Sequence, residues 1–173
     1  MSGATLSLKG RALRYLSARE HSRGELGRKL ARHSEDADEI ERVLDELTAR
    51  GWLSAERFVE SVVHRRAERF GAARIRQELQ QHGIDHAQAA TALDALRHSE
   101  PERARAIWQR RFGAPPATPA EKAKQMRFLA GRGFSTEVIR RVLRELPHAG
   151  LRADDPTSPD KTDDKRNEFD IDT

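Results

Sequence analysis

The side chains in this sequence best equipped for chemistry are arginines, and they come in close groups. Arg65, Arg66 and Arg69 are followed by Arg74 and Arg76, which flank Ile75. A second set runs Arg103, Arg105, Arg110 and Arg111, then Lys122, Lys124, Arg127 and Arg132, then Arg140, Arg141 and Arg144. Arginine heavily outnumbers lysine, and its planar fork matches carboxylate and phosphate oxygens two at a time. The chemistry on offer is recognition of anions. Any single arginine reads first as part of a solvated helical surface with internal Glu–Arg pairs. The excess in residues 97–152, 13 basic against 5 acidic, has too few acids to pair with and points to an acidic partner.

The net charge of +4 conceals this unevenness. Residues 1–152 hold 29 Lys or Arg against 20 Asp or Glu, whereas residues 153–173 hold 3 against 8. Within the basic part, residues 1–56 balance at 10 against 10 and residues 57–96 stand at 6 against 5. Positive charge therefore collects toward its last third. The final stretch, DDPTSPDKTDDKRNEFDIDT, has two prolines, no apolar periodicity and a strongly acidic balance, so a disordered tail is expected. Opposite charges suggest that it shields the basic surface.

Other chemistries find no foothold. His82 and His86 have the spacing of a helical metal pair, but Gly83 and a helix-capping Asp85 lie between them and break the helix that such a pair needs. No G-x-x-x-x-G-K-[ST] phosphate loop occurs, and no Ser, His and acid form a local nucleophile motif. Cysteine is absent, which removes disulfides, thiolate catalysis and cysteine-bound zinc. Trp52 and Trp108 sit among apolar neighbours and read as core residues, not base-stacking platforms. No apolar run approaches the roughly 18 residues of a membrane span. The expectation is a cytoplasmic monomer with no catalytic residue, cofactor or metal.

The elements that must carry the arginines are helices. Apolar residues recur three and four apart, as in Ile40, Val43, Leu44, Leu47 and in Ile139, Val142, Leu143, Leu146, and alternation of period two is missing. Helix starts are announced by a capping residue with Glu or Gln three positions on: Ser22 with Glu25, Asp36 with Glu39, Asp85 with Gln88, Ser99 with Glu102 and Thr118 with Glu121. Ser54 and Ser135 are simpler caps. Glycines 51, 71, 83, 113 and 133 fall where helices should end. Nine helices are expected, over roughly 7–19, 22–32, 36–49, 54–70, 72–82, 85–97, 100–112, 118–131 and 135–146.

The helices repeat in threes. Leu30, Leu79 and Leu129 are each followed after 14 residues by leucine (Leu44, Leu93, Leu143) and after 17 by another (Leu47, Leu96, Leu146). Ten residues after each anchor come Ile40, Ala89 and Ile139. Arg69-Phe70-Gly71-Ala72 and Arg111-Phe112-Gly113-Ala114 echo one another at the end of a first helix, and the third copy has gained the proline-rich PPATPAEK. In this frame LAGRGFSTEVIRRVL is the third helix-turn-helix, with Phe134 as its buried turn residue. The expected fold is all-α, three tandem three-helix repeats over residues 1–53, 54–98 and 99–152 in an elongated, curved array whose neighbours share apolar surface, followed by the tail at 153–173.

LKGRALRYLSAREHSRGELGRKL, GWLSAERFVESVVHRRAERFGAARIRQEL with the following QQHGI, and AKQMRFLAGRGFSTEVIRRVL together resemble the RecX family, bacterial regulators of the RecA recombinase. The resemblance runs in order over about residues 8–146 and stops before the acidic tail. It implies binding along the groove of the RecA–single-stranded-DNA filament, with lower filament extension, ATP hydrolysis, strand exchange and co-protease activity, and hence a role in homologous recombination and the SOS response. It implies no enzymatic activity of the chain's own. Contacts to RecA or to single- and double-stranded DNA are then expected from Arg65, Arg66, Arg69, Arg74, Arg76, Arg110, Arg111, Lys124, Arg127, Arg140 and Arg141. A stand-alone DNA-binding protein using the third helix of each module in helix-turn-helix fashion is the alternative.

Overall fold

A computed structural model describes residues 6–146, and among these every regular element is a helix. The first repeat holds α1 (Leu8–Ala18), α2 (Arg23–Leu30) and α3 (Ala37–Ala49). The second holds α4 (Ala55–Arg66), α5 (Ala72–Gln81) and α6 (His86–His98). The third holds α7 (Glu100–Arg111), α8 (Pro119–Gly131) and α9 (Thr136–Arg144). The acidic tail expected at 153–173 lies outside the described residues.

Local chemistry sets most of the boundaries. Ser22, Asp36, Ser54, Thr118 and Ser135 each accept a hydrogen bond from the backbone N–H three residues on, satisfying a donor that has no partner within the helix. Asp85 and Gln88 form the full reciprocal box, at 2.8 and 3.0 Å. Ser99 departs from expectation. Its backbone (φ −88°, ψ 3°) stays nearly helical after α6, so its hydroxyl donates to the Leu96 carbonyl at 3.1 Å and caps no N–H of α7. Gly51, Gly83, Gly113 and Gly133 all adopt positive φ, as helix-ending glycines do.

Gly71 does not, and α4 stops at Arg66, short of the expected residue 70. Gly71 is extended (φ −78°, ψ 168°) and opens α5. Residues 67–70 form a turn in which the Arg69 and Phe70 N–H groups both donate to the Arg66 carbonyl. The carbonyls of that turn face away from α4, toward side chains of the third repeat.

Each repeat buries its own core. Leu8, Ala12, Leu26, Leu30, Ile40, Leu44, Leu47 and Leu53 form the first cluster. Phe58, Val59, Val62, Ile75, Leu79, Ile84, Leu93 and Leu96 anchor the second, and Ala104, Ile107, Trp108, Leu129, Phe134, Ile139, Val142 and Leu146 the third. Every anchor leucine of the repeat is in these clusters except Leu143, which is packed against the third. Phe134 is buried in its turn, as expected. The buried apolar residues fall into three separate clusters, one in each repeat. Trp108 is core, its Nε1–H donating to Gln125 Oε1 at 2.7 Å, whereas Trp52 is 42% exposed with Lys9 and Arg50 over its ring; Leu53 fills the junction instead.

Candidate anion-binding interface

The second and third repeats are joined by backbone and guanidinium groups. Gly71 N–H donates to the Arg132 carbonyl at 2.9 Å and Ala73 N–H to the Gly133 carbonyl at 3.3 Å. A Cβ on Gly71 would lie 2.3 Å from the Gly133 oxygen, and one on Gly133 would lie 2.6 Å from Arg74 Cβ. Only glycine permits backbones this close. Beside them the buried Glu100 accepts from Ala72 N–H at 2.7 Å, supplying from α7 the side-chain cap that Gly71 cannot give α5.

The four carbonyls of the turn at 67–70 all point into this junction, and three arginines of the third repeat receive them. Arg103 Nη1 donates to Ala67 O at 2.9 Å and to Phe70 O at 2.8 Å, while its Nη2 donates to Leu96 O at 2.8 Å. Arg110 Nη2 reaches Glu68 O at 3.0 Å, and Arg132 Nη1 reaches Arg69 O at 3.4 Å. Burial pulls the Arg103 pKa below its usual value, and the nearby Glu100 carboxylate works against that shift. Its charge acts here as a clasp.

Outside the clasp a cleft of about 440 Å³ opens, lined by Glu68, Arg69, Ile107, Arg110, Arg111, Phe128 and Arg132. Four arginines line it beside a single acidic residue, Glu68. None of the four forms an ion pair among the described residues, although arginines elsewhere do: Arg23 with Glu41 and Asp45, Arg57 with Glu20, Arg66 with Glu78. Aromatic faces hold the cluster in place. Arg66, Arg69, Arg74 and Arg132 lie 5.2 to 5.9 Å from the Phe70 ring centre, Arg132 is 5.1 Å from that of Phe128, and Phe128 meets Phe112 edge to face. Like charges lining one cleft repel one another, and an anion entering it relieves the repulsion.

The arginines singled out in the sequence are thus distributed over several places. Arg69, Arg110 and Arg111 meet in the cleft. Arg66 and Arg74 line a neighbouring polar hollow with Gln77, Glu78, Gln81 and His82. Arg76 faces a third hollow beside Gly133 and Glu137, and its Nε is buried without a partner. Arg65 donates to Ser61 within its own helix. Lys124 and Arg127 on α8 and Arg140 on α9 are exposed and do not line the cleft, while Arg141 donates to Glu145 at 2.9 Å, a carboxylate whose pKa that bond lowers and which also receives Arg105. Sequence reading overlooked Glu100 and Phe70, and it counted Arg103 and Arg132 only as part of the charge excess. The repetition of Arg-Phe-Gly-Ala was the one hint, and it pointed to a helix end, not to a junction.

His82 ends α5 and packs edge to face on Phe58, while His86 begins α6, so the two share no helix. No group of three metal-ligating side chains occurs among the described residues, and no described helix is long and apolar enough to cross a membrane.

Three sequence models match the chain in order: the first three-helix domain of RecX over residues 9–47, the second over 56–93 and the third over 99–143. The regulatory protein RecX of Leptothrix cholodnii is 65% identical over 143 residues, 83% of this chain and 91% of that protein. Its counterpart from Ralstonia nicotianae is 55% identical, over 80% of this chain and 87% of its own length. The crystal structure of RecX from Lactobacillus salivarius has the same fold, with a TM-score of 0.69 at 24% identity, covering 80% of this chain and 94% of that one. The chain belongs to the RecX family of regulatory proteins.

Proposed function

We propose that this chain binds the RecA–single-stranded-DNA filament and restrains its extension, ATP hydrolysis, strand exchange and co-protease activity, thereby regulating homologous recombination and the SOS response. Membership in the RecX family supports the partner. The observation that carries the mode of binding is the uncompensated arginine cleft at the junction of the second and third repeats, which suits carboxylates of a protein surface or phosphates of DNA. Arg65, Arg66, Arg74, Arg76, Lys124, Arg127, Arg140 and Arg141, which lie outside the cleft, would add further contacts to the same partner. The chain acts by occupancy and carries out no reaction of its own.

The third helices weigh against a plain helix-turn-helix DNA binder. Exposed positions of α3 include Asp38, Glu41 and Asp45, with Arg42 as the one basic residue inside the helix. A helix of that charge is repelled by a phosphate-lined groove, so the three modules cannot all read DNA in the same way.

Retention on RecA filaments and on equal amounts of naked single-stranded DNA separates the two readings. A plain binder loses naked DNA with log K falling about 0.7 per phosphate neutralised as log salt rises, and it gains nothing from the recombinase. The proposed regulator stays on filaments at salt concentrations that release it from naked DNA. Equal loss from both would contradict the proposal.

A further inference from the structure

The arginine cleft has a complement within the same chain. Residues 168–172 read Glu-Phe-Asp-Ile-Asp, three acids interleaved with Phe169 and Ile171. The cleft presents the matching pattern: Arg69, Arg110, Arg111 and Arg132 around the apolar edges of Ile107 and Phe128. We propose that this acidic-aromatic segment docks in the cleft of its own chain, with the carboxylates of Glu168, Asp170 and Asp172 on the guanidinium groups and the Phe169 ring against Phe128 and Ile107.

Charge argues for it first. The four cleft arginines lack acidic partners within the described fold, whereas residues 153–173 carry 8 acids against 3 bases. The apolar pair argues for this segment over the rest of that stretch, because Phe169 and Ile171 are its two large apolar residues and a purely electrostatic contact has no use for them. Tethering makes the encounter easy. Leu146 sits in the same core as Ile107, and about twenty residues separate it from Glu168, a length at which a flexible chain in general spans about 25 Å, enough to cross one small repeat. Such a linker holds its segment near the cleft at an effective concentration on the order of millimolar, so a weak contact is well populated. Nucleic acid would use the guanidinium groups but leave the apolar match unexplained.

That the docked segment competes with the filament rests on the function proposed above; the docking itself does not. The chain contains no cysteine, so Thr173→Cys provides a unique attachment point for a nitroxide spin label on the full-length protein. At low salt, the label is expected to erase amide signals of residues 69–71, 107–112 and 128–132 selectively. Those signals return when Phe169→Ala and Ile171→Ala are added, or with Arg69→Ala and Arg111→Ala, two exposed side chains whose loss breaks no hydrogen bond of the clasp. Uniform broadening over all basic faces, or broadening indifferent to Phe169 and Ile171, would overturn the proposal. So would an undisturbed cleft whose amides shift only when a single-stranded oligonucleotide is added, which would assign the cleft to nucleic acid. Neither recombinase nor DNA enters the main experiment, so its failure leaves the filament reading standing.

Discussion

Gly71 and Gly133 meet backbone to backbone across the second and third repeats, so close that a single methyl group on Gly71 would lie 2.3 Å from the Gly133 oxygen. The two glycines have different reasons for being there. Gly133 needs a positive φ of 85° as well as space, whereas Gly71 is in an ordinary extended conformation and needs space alone. Gly71→Ala therefore tests the junction with no change in backbone preference. It should cost about 1–3 kcal/mol through forced separation of the two backbones, read as a lowered Tm and as faster amide exchange at Gly71 and Ala73. An unchanged Tm with protected amides would show that the junction yields freely.

Arg103 closes that junction through three carbonyls on two different helix ends. Arg103→Ala leaves Ala67 O and Phe70 O without their guanidinium donor, while Leu96 O keeps the Ser99 hydroxyl, and should destabilise the protein by about 1–3 kcal/mol, the range for abandoned acceptors. Arg103→Lys should recover only a fraction of this, because one ammonium cannot span the fork. Chemical denaturation of the two variants side by side provides the comparison. Equal stability of the Arg103→Lys variant and the parent would mean that charge, not geometry, matters there.

Much of this architecture was legible in the sequence because periodicity and capping are local. The 14- and 17-residue offsets from Leu30, Leu79 and Leu129 located the three cores, and the caps at Ser22, Asp36, Ser54, Asp85, Thr118 and Ser135 opened helices where expected. What stayed hidden was relational. Arg103 and Arg110 look like surface residues until the carbonyls of Ala67 and Glu68, distant in sequence, are brought to them. Gly71 looks like a helix end because only the third repeat reveals its need for space. Trp52 reads as buried from its apolar neighbours, yet Leu53, one residue on, takes the inward position.

The first repeat contains a group whose protonation should register in stability. His21 is buried, its Nδ1 2.9 Å from the Arg19 carbonyl and its Nε2 2.9 Å from Lys29 Nζ, an arrangement that requires a neutral ring donating from Nδ1 and accepting at Nε2. Burial lowers its pKa below the ordinary 6.5, the Arg19 carbonyl opposes that shift, and the Arg19 and Lys29 charges add to it. Below pH 6.5 the unfolded chain therefore takes up a proton that the folded chain refuses, and stability falls as pH drops. Glu25, lowered by its Arg19 pair against the effect of burial, adds its own loss only below about 4.5. Between about pH 7 and 5, His21→Asn should flatten the decline in Tm. A slope identical to the parent's would remove His21 as its source.

Separate cores make separate melting units. Between the first and second repeats the described polar links are Arg57 to Glu20 at 2.7 Å and Arg57 to the Trp52 carbonyl at 3.0 Å, far less than the clasp between the second and third. Hydrogen exchange should therefore show residues 8–49 opening independently of residues 55–144, and Gly71→Ala should loosen the latter without touching the former. A single exchange rate for all three cores would contradict this.

The central claim is that the basic junction acts on a recombinase filament, and RecA ATP hydrolysis on single-stranded DNA tests it most directly. The chain is titrated at moderate salt beside a variant carrying Arg69→Ala, Arg111→Ala and Arg140→Ala, three exposed arginines with no ion pair among the described residues. Inhibition at far fewer molecules than RecA protomers, weakened about tenfold or more in the variant while its Tm stays at that of the parent, is the predicted result. Inhibition that appears only when the protein is abundant enough to coat the DNA, or that is unchanged in the variant, would contradict it.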